Sequence, residues 1–299
     1  MAYSVKLSNP QERDKRLNLW SNPGFMHAVA RLQGLSPGHL CCYKGQELVA
    51  LLPVYEKRFL GTNSLCSPSG SYYQGLNLWL DEKVLPARRL LDTVQIFRAM
   101  AEYMMSRYRK LRINLSPETY DIRGFIFIGL KAKPLYTFTG VPGQELYPLP
   151  DERRKIKLAM NQDYETNSVF CPDEFINLFR SLNNRKNREF NFGYAHFGEY
   201  LQTLHALGLL GQFNLLKDGK IVSSNILLQD ENRAYTVFRA TEPEALKNGA
   251  SGLHTILLLQ NLQKRGIAEL DFCGANVMEV ARFKAALGLN LKAFYQIYG

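Results

Sequence analysis

The sequence predicts an α+β fold, an α/β sandwich built twice in tandem, each copy a mixed, mostly antiparallel sheet flanked by helices. The chief observation is an internal repeat. A strand, tight turn, strand pattern surrounds Lys44-Gly45 and recurs around Asp218-Gly219. After each turn come a long apolar-striped helix, a short strand (from Arg112 and from Glu269), a helix ending in Gly-Leu (Gly129-Leu130 and Gly288-Leu289), and a Tyr-containing strand. The length points the same way, because 299 residues exceed one ordinary core and suit two of roughly 150 residues. The expected division is 1–145 and 146–299, with a ligand cleft between the two domains.

In the first half, a strand is expected at Ser4–Leu7 and a helix after Asn22-Pro23, where Asn caps and Pro suits the first helical position. Its apolar stripe is Phe25, Val29 and Leu32. The hairpin at Lys44-Gly45 leads into a long strand through Tyr55, in which Pro53 marks an edge or a bulge. Another strand is expected at Gly75–Leu80. Leu90, Val94, Phe97, Ala101, Met104 and Tyr108 then repeat at helical spacing and make one buried face. Gly and Pro concentrate over Thr139–Pro150, the expected domain boundary. A basic helix follows Pro150 with Asp151 as its N-cap.

The second half opens with a strand at Glu165–Phe170. A helix follows with Pro172 in its first turn and Phe175, Phe179 and Leu182 inward, then another over Glu199–Leu207. Three strands, Gln212–Leu216, Lys220–Leu228 and Ala234–Ala240, form a meander whose Asp-Gly turn needs positive φ at both central residues. A Gly-rich turn runs into a helix at Leu253–Arg265, followed by a strand at Glu269–Phe272, a helix at Val277–Leu287 and a strand at Leu291–Tyr298. Asn276 with Glu279 reads as a capping box, and Gly288 as the helix stop.

Thirty-seven Lys and Arg against 27 Asp and Glu give a formal charge of +10. The excess suggests an anionic partner, and it concentrates at Arg153–Lys157 and Arg180–Arg188. The first twenty residues lack an apolar leader, and the longest apolar runs are too short to span a bilayer. Five cysteines show no metal spacing and no good disulfide pair. These features predict a cytoplasmic, reduced protein with no integral membrane segment and no metal.

The order β-α-α-β-β-β-α-β-α-β in the second half resembles the GNAT acyltransferase fold. Tandem copies with a basic helix between them resemble the FemA/FemB/FemX group and its FemAB-like N-acyltransferase relatives. The motifs carrying the resemblance are Lys217-Asp-Gly-Lys220, Lys247-Asn-Gly-Ala-Ser-Gly252, Leu270-Asp-Phe-Cys-Gly-Ala275 and Ala281-Arg-Phe-Lys-Ala-Ala-Leu-Gly288.

The resemblance implies a donor site at Gly249, Ala250, Ser251 and Gly252, where a helix N-terminus offers backbone N–H groups to an acyl-CoA pyrophosphate. Leu246 stands where CoA-binding members carry Arg or Gln, a departure that agrees with the aminoacyl-tRNA donor of the FemA/FemB/FemX group. A tight turn without ligand is the other reading. Lys284, of the Phe-Lys pair, would stabilise negative charge near the reacting carbonyl, with Arg282 a weaker candidate.

Asp271, a carboxylate inside an apolar strand, needs a partner: a general base, a residue that orients Lys284, or a structural acceptor. Tyr235 and Arg239 would share a face by strand alternation and contact substrate. Cys273 has no low-pKa context, and His254 reads as a core histidine.

The expected activity is therefore N-acyl or aminoacyl transfer, from acyl-CoA or aminoacyl-tRNA to an amine-bearing small molecule or cell-envelope precursor. The alternatives are a non-catalytic small-molecule-binding protein of the same tandem fold and, last, an RNA-binding protein.

Overall fold

The computed structural model describes residues 3–12, 16–59 and 61–299. The chain divides into two compact units, Met1–Leu135 with Ala293–Gly299, and Tyr136–Lys292.

The first unit contains β1 (Tyr3–Ser8), a 3-10 turn (Leu19–Ser21), α1 (Pro23–Gln33), β2 (Ser36–Lys44), β3 (Glu47–Phe59), β4 (Thr62–Leu65), β5 (Asn77–Leu78), α2 (Pro86–Arg107), β6 (Lys110–Asn114) and α3 (Arg123–Ile126). Its strands run in the order β1-β2-β3-β4-β6, and β6 is completed by the chain's last strand, β13 (Asn290–Tyr298), through Gln296–Tyr298. All described pairings are antiparallel except β4 with β6.

Asn22 caps α1 by accepting from the Phe25 N–H, as expected, and Gly34 closes it in the left-handed conformation. Pro53 lies within β3, between the residues paired to β5 (Ala50, Leu51) and those paired to β4 (Glu56–Phe59). Its missing N–H therefore removes no bond from the ladder on that side. The buried stripe of α2 starts later than expected, at Ile96, Phe97, Met100, Ala101 and Met104. Leu90 is exposed, and Asp92 holds the buried position instead, paired to Lys44 and Arg88. The strand expected at Gly75–Leu80 shrinks to β5, and β4 was not foreseen.

The second unit contains the end of β7 (Lys131–Gly140), α4 (Pro150–Met160), β8 (Tyr164–Asn167), α5 (Pro172–Arg185), α6 (Tyr194–Ala206), β9 (Leu210–Lys217), β10 (Lys220–Gln229), β11 (Arg233–Thr241), α7 (Pro243–Lys247), α8 (Ala250–Lys264), β12 (Glu269–Asp271) and α9 (Met278–Ala286). Its order is β7-β12-β11-β10-β9-β8, antiparallel except β11 with β12.

The two orders match position for position: an antiparallel meander, then a parallel pair, then one antiparallel strand. The sixth position is exchanged. The last strand of the first repeat, β7, completes the second unit, and the last strand of the second repeat, β13, completes the first.

Asp218 and Gly219 take φ of 51° and 73°, the conformation the Asp-Gly turn demands. One face of the second sheet is covered by α8, whose Leu258, Leu259 and Leu262 pack in one core with Phe213, Leu227 and Leu270 of the strands. The other carries α5 and α6, whose Phe175, Phe179 and Phe197, with Phe190 from the connection between the two helices, make a chain of ring contacts ending on Phe238 of β11. Each fully buried ring or leucine contributes about 1.5–3 kcal/mol.

Two caps differ from expectation. Leu149, not Asp151, is the N-cap of α4, with Pro150 at the first helical position. Val277 caps α9, because the Asn276 side chain is committed to both backbone groups of Tyr136 on β7.

Candidate active site

β12 is only three residues long because the chain leaves the extended region directly after it. Cys273 adopts φ 44° and Gly274 φ 70°. A non-glycine residue at positive φ costs on the order of 1–3 kcal/mol and persists only where its surroundings fix it. Here two buried charges do so. Asp271 Oδ1 accepts from the Cys273 N–H at 2.7 Å and from Thr137 Oγ1 at 2.5 Å. Lys284 Nζ donates to the carbonyls of Phe272, Cys273 and Gly274 at 2.7, 2.5 and 2.6 Å. The Phe272 and Ala275 N–H groups are taken by the Phe138 and Tyr136 carbonyls of β7.

Lys284 is 8% exposed and is the buried residue of α9. An ammonium carries three donors, and all three are spent on this loop. Burial lowers its pKa to about 8, against the pull of Cys273 and Asp271, so it is charged at neutral pH. With its donors spent on the Phe272, Cys273 and Gly274 carbonyls, Lys284 has no N–H left for another acceptor.

Asp271 is 4% exposed and stands opposite Tyr235 in the parallel pairing of β11 and β12. That pairing spans only Arg233–Glu269 to Tyr235–Asp271, while β11 continues to Thr241. A bulge at Val237 breaks the alternation of β11, since Thr236 and Phe238 face the consecutive residues Leu227 and Ile226. Tyr235 therefore shares the face of Asp271, and Arg239 lies on the opposite face, against the expectation from simple alternation.

The Arg239 guanidinium reaches Ser251 O at 2.5 Å and Thr255 Oγ1 at 2.9 Å on α8, and stands 5.9 Å from the Phe283 ring. Its Nε has no acceptor among the described residues, and burial lowers its pKa to about 10.

The Gly249–Gly252 turn is packed from outside by α4. Gly249 has φ 80°, and a Cβ there would come within 2.3 Å of the Lys155 carbonyl. At Gly252 it would meet Ile156 Cγ1 at 2.7 Å. Gly249, Ala250 and Gly252 are buried, leaving Ser251 partly exposed. These glycines admit the basic helix α4 against the first turn of α8. Arg282 is exposed on the outer side of α9, away from the Lys284 cluster.

His254 is fully buried between Ser223 and Asn225, and burial drives its pKa well below the usual value, so it is a neutral core residue. Burial, with Asp271 adding to it, pushes the Cys273 thiol well above the usual range and makes it a poor nucleophile. Among the described residues, no group of His, Cys, Asp and Glu could hold a metal ion, and no helix is long and apolar enough to cross a membrane.

The structure thus brings Asp271 and Lys284 together, with Tyr235 on the Asp271 face. It sets Arg239 and the Gly249–Gly252 turn on the α8 side and leaves Arg282 outside. Sequence reasoning missed Thr137 and the peptide groups of Cys273 and Gly274. The Cys-Gly step straight after a strand was the available signal for a left-handed loop.

Residues 153–285 match the family described as acetyltransferase (GNAT) domain. Among solved structures, the chain is similar to FemX, with a TM-score of 0.66 at 12% identity over 96% of this chain and 93% of that one. It is also similar to the C-terminal domain of a putative lysylphosphatidylglycerol synthetase from Agrobacterium fabrum, with a TM-score of 0.59 at 12% identity over 95% and 87%. A tandem GNAT protein from the clavulanic acid biosynthesis pathway gives a TM-score of 0.52 at 10% identity over 92% and 86%. No curated protein matches the chain.

Proposed function

We propose that this acyltransferase, whose residues 153–285 form a GNAT domain, moves an aminoacyl group from aminoacyl-tRNA to an amine of a cell-envelope precursor, on the Asp271 face of its second unit. The observation that carries the reading is the loop after β12, held by Asp271 on one side and Lys284 on the other. Acyl transfer from an activated ester to an amine needs positioning, removal of the amine proton and stabilisation of the developing oxyanion. Asp271, buried and oriented by Thr137, is the group to take the proton. Tyr235 stands in register with it and lines the acceptor's approach. Lys284 holds the loop and lends positive charge to it from behind.

The choice of donor rests on α4. An acyl-CoA held in the usual way would place its pyrophosphate at the first turn of α8, and that turn is packed by Lys155 and Ile156. A tRNA ester has no such requirement, and its phosphates suit a chain of charge +10. The resemblance to the FemA/FemB/FemX group supports an aminoacyl-tRNA donor, and the similarity to a putative lysylphosphatidylglycerol synthetase domain supports an aminoacyl group and an envelope acceptor.

The test is transfer of radiolabel from bulk aminoacyl-tRNA, and separately from acetyl-CoA, to amine-bearing wall-precursor peptides. The reading expects transfer from the tRNA ester alone, abolished in Asp271→Asn. Transfer from acetyl-CoA alone would replace the donor assignment, and full activity of Asp271→Asn would remove the base.

A further inference from the structure

The three peptide units of the loop after β12 point the same way. The carbonyls of Phe272, Cys273 and Gly274 all converge on Lys284 Nζ. In a trans peptide the N–H lies opposite the carbonyl, and no peptide in the described chain is cis. The N–H groups of Cys273, Gly274 and Ala275 therefore face away from the lysine. The first is taken by Asp271 Oδ1 and the third by the Tyr136 carbonyl. The middle one, of Gly274, has no acceptor among the described residues and lies at a partly exposed position.

We propose that the Gly274 N–H is the oxyanion donor of the transfer reaction, in a row of peptide dipoles fixed and polarised from behind by Lys284. The proposal rests on the reading of the Asp271 face as the acyl-transfer site. A fixed N–H with an ammonium behind its own peptide carbonyl offers positive potential where charge develops.

The step balances. The acceptor amine forms a C–N bond to the acyl carbon, and the carbonyl π pair moves onto oxygen, which takes the Gly274 hydrogen bond. Asp271 accepts the amine proton. Collapse breaks the ester C–O bond, and the ribose oxygen leaves with the proton from Asp271.

The Phe272–Cys273 junction allows the test in the full chain. A thioester of residues 1–272 is ligated to synthetic Cys273–Gly299, with Gly274 either as glycine or as glycolic acid, which replaces the N–H by an ester oxygen. Bulk aminoacyl-tRNA and a wall-precursor peptide are the substrates. The proposal expects the ester chain to melt as the amide chain does, with kcat lower by about 10²–10³ and KM unchanged. Equal kcat in the two chains overturns it and leaves the acyltransfer site standing. A folded amide chain with no transfer from the tRNA ester overturns the reading on which it rests, and the proposal with it.

Discussion

Asp271 and Lys284 meet at one residue, Cys273, from opposite sides. The carboxylate accepts from its N–H at 2.7 Å, and the ammonium donates to its carbonyl at 2.5 Å. Each charge therefore has two consequences, one for the left-handed loop and one for any group brought up to it, and substitutions can separate the two.

Asp271→Asn keeps an oxygen to accept from Thr137 and Cys273, so unfolding free energy should stay within about 1 kcal/mol of the parent. Removal of the base should lower kcat by about 10²–10⁴. Urea unfolding beside single-turnover transfer checks both. A loss of stability with activity retained would make Asp271 a structural acceptor only.

Lys284→Met leaves three carbonyls, those of Phe272 and Cys273 buried, without this donor and should cost about 2–4 kcal/mol in urea unfolding. Because Lys284 acts through the loop, kcat should fall while KM for the donor holds. Lys284→Arg should not restore it, since a planar guanidinium cannot aim three donors at carbonyls converging on one point.

The pH dependence carries opposite signs for activity and stability. The folded pKa of Lys284 is about 8, lowered from 10.5 by burial. The unfolded chain therefore holds this proton more tightly, and the stability contribution of Lys284 rises as pH climbs from about 8 toward 10.5. Activity should fall over the same interval, as the loop loses a donor. The descending limb of the kcat–pH profile near 8 should be absent in the residual activity of Lys284→Met.

Gly249→Ala places a Cβ within 2.3 Å of the Lys155 carbonyl at φ 80° and should lower stability by about 1–3 kcal/mol or more. Arg239→Met is the contrasting case. Ser251 O keeps its bond from Thr255, and no buried charge loses a carboxylate partner, so stability should hold within about 1 kcal/mol or rise. Thermal melting of the two variants side by side decides whether the turn is a packing joint.

Much of the fold was legible because it rests on local chemistry. Asp218-Gly219 demanded its turn, Asn22-Pro23 its helix start, and the repeat announced two similar sheets. The exchange of β7 and β13 was not, because strand pairing at that range leaves no mark in either segment. Nor was the burial of Lys284: only the three carbonyls it meets explain why a lysine of α9 is inside. The bulge at Val237 likewise reversed the face of Arg239, which alternation alone had set beside Tyr235. Asp271 was legible as a charge in an apolar strand, but its partners Thr137 and Cys273 required the structure.

The most direct test of the account is the melting temperature of the protein with bulk aminoacyl-tRNA, with acetyl-CoA, and with longer acyl-CoAs, each added alone. A ligand that binds only the folded chain must raise it. The account predicts a rise with aminoacyl-tRNA and none with any acyl-CoA. A rise with acyl-CoA that disappears in Gly252→Arg, with no response to the tRNA, would contradict it.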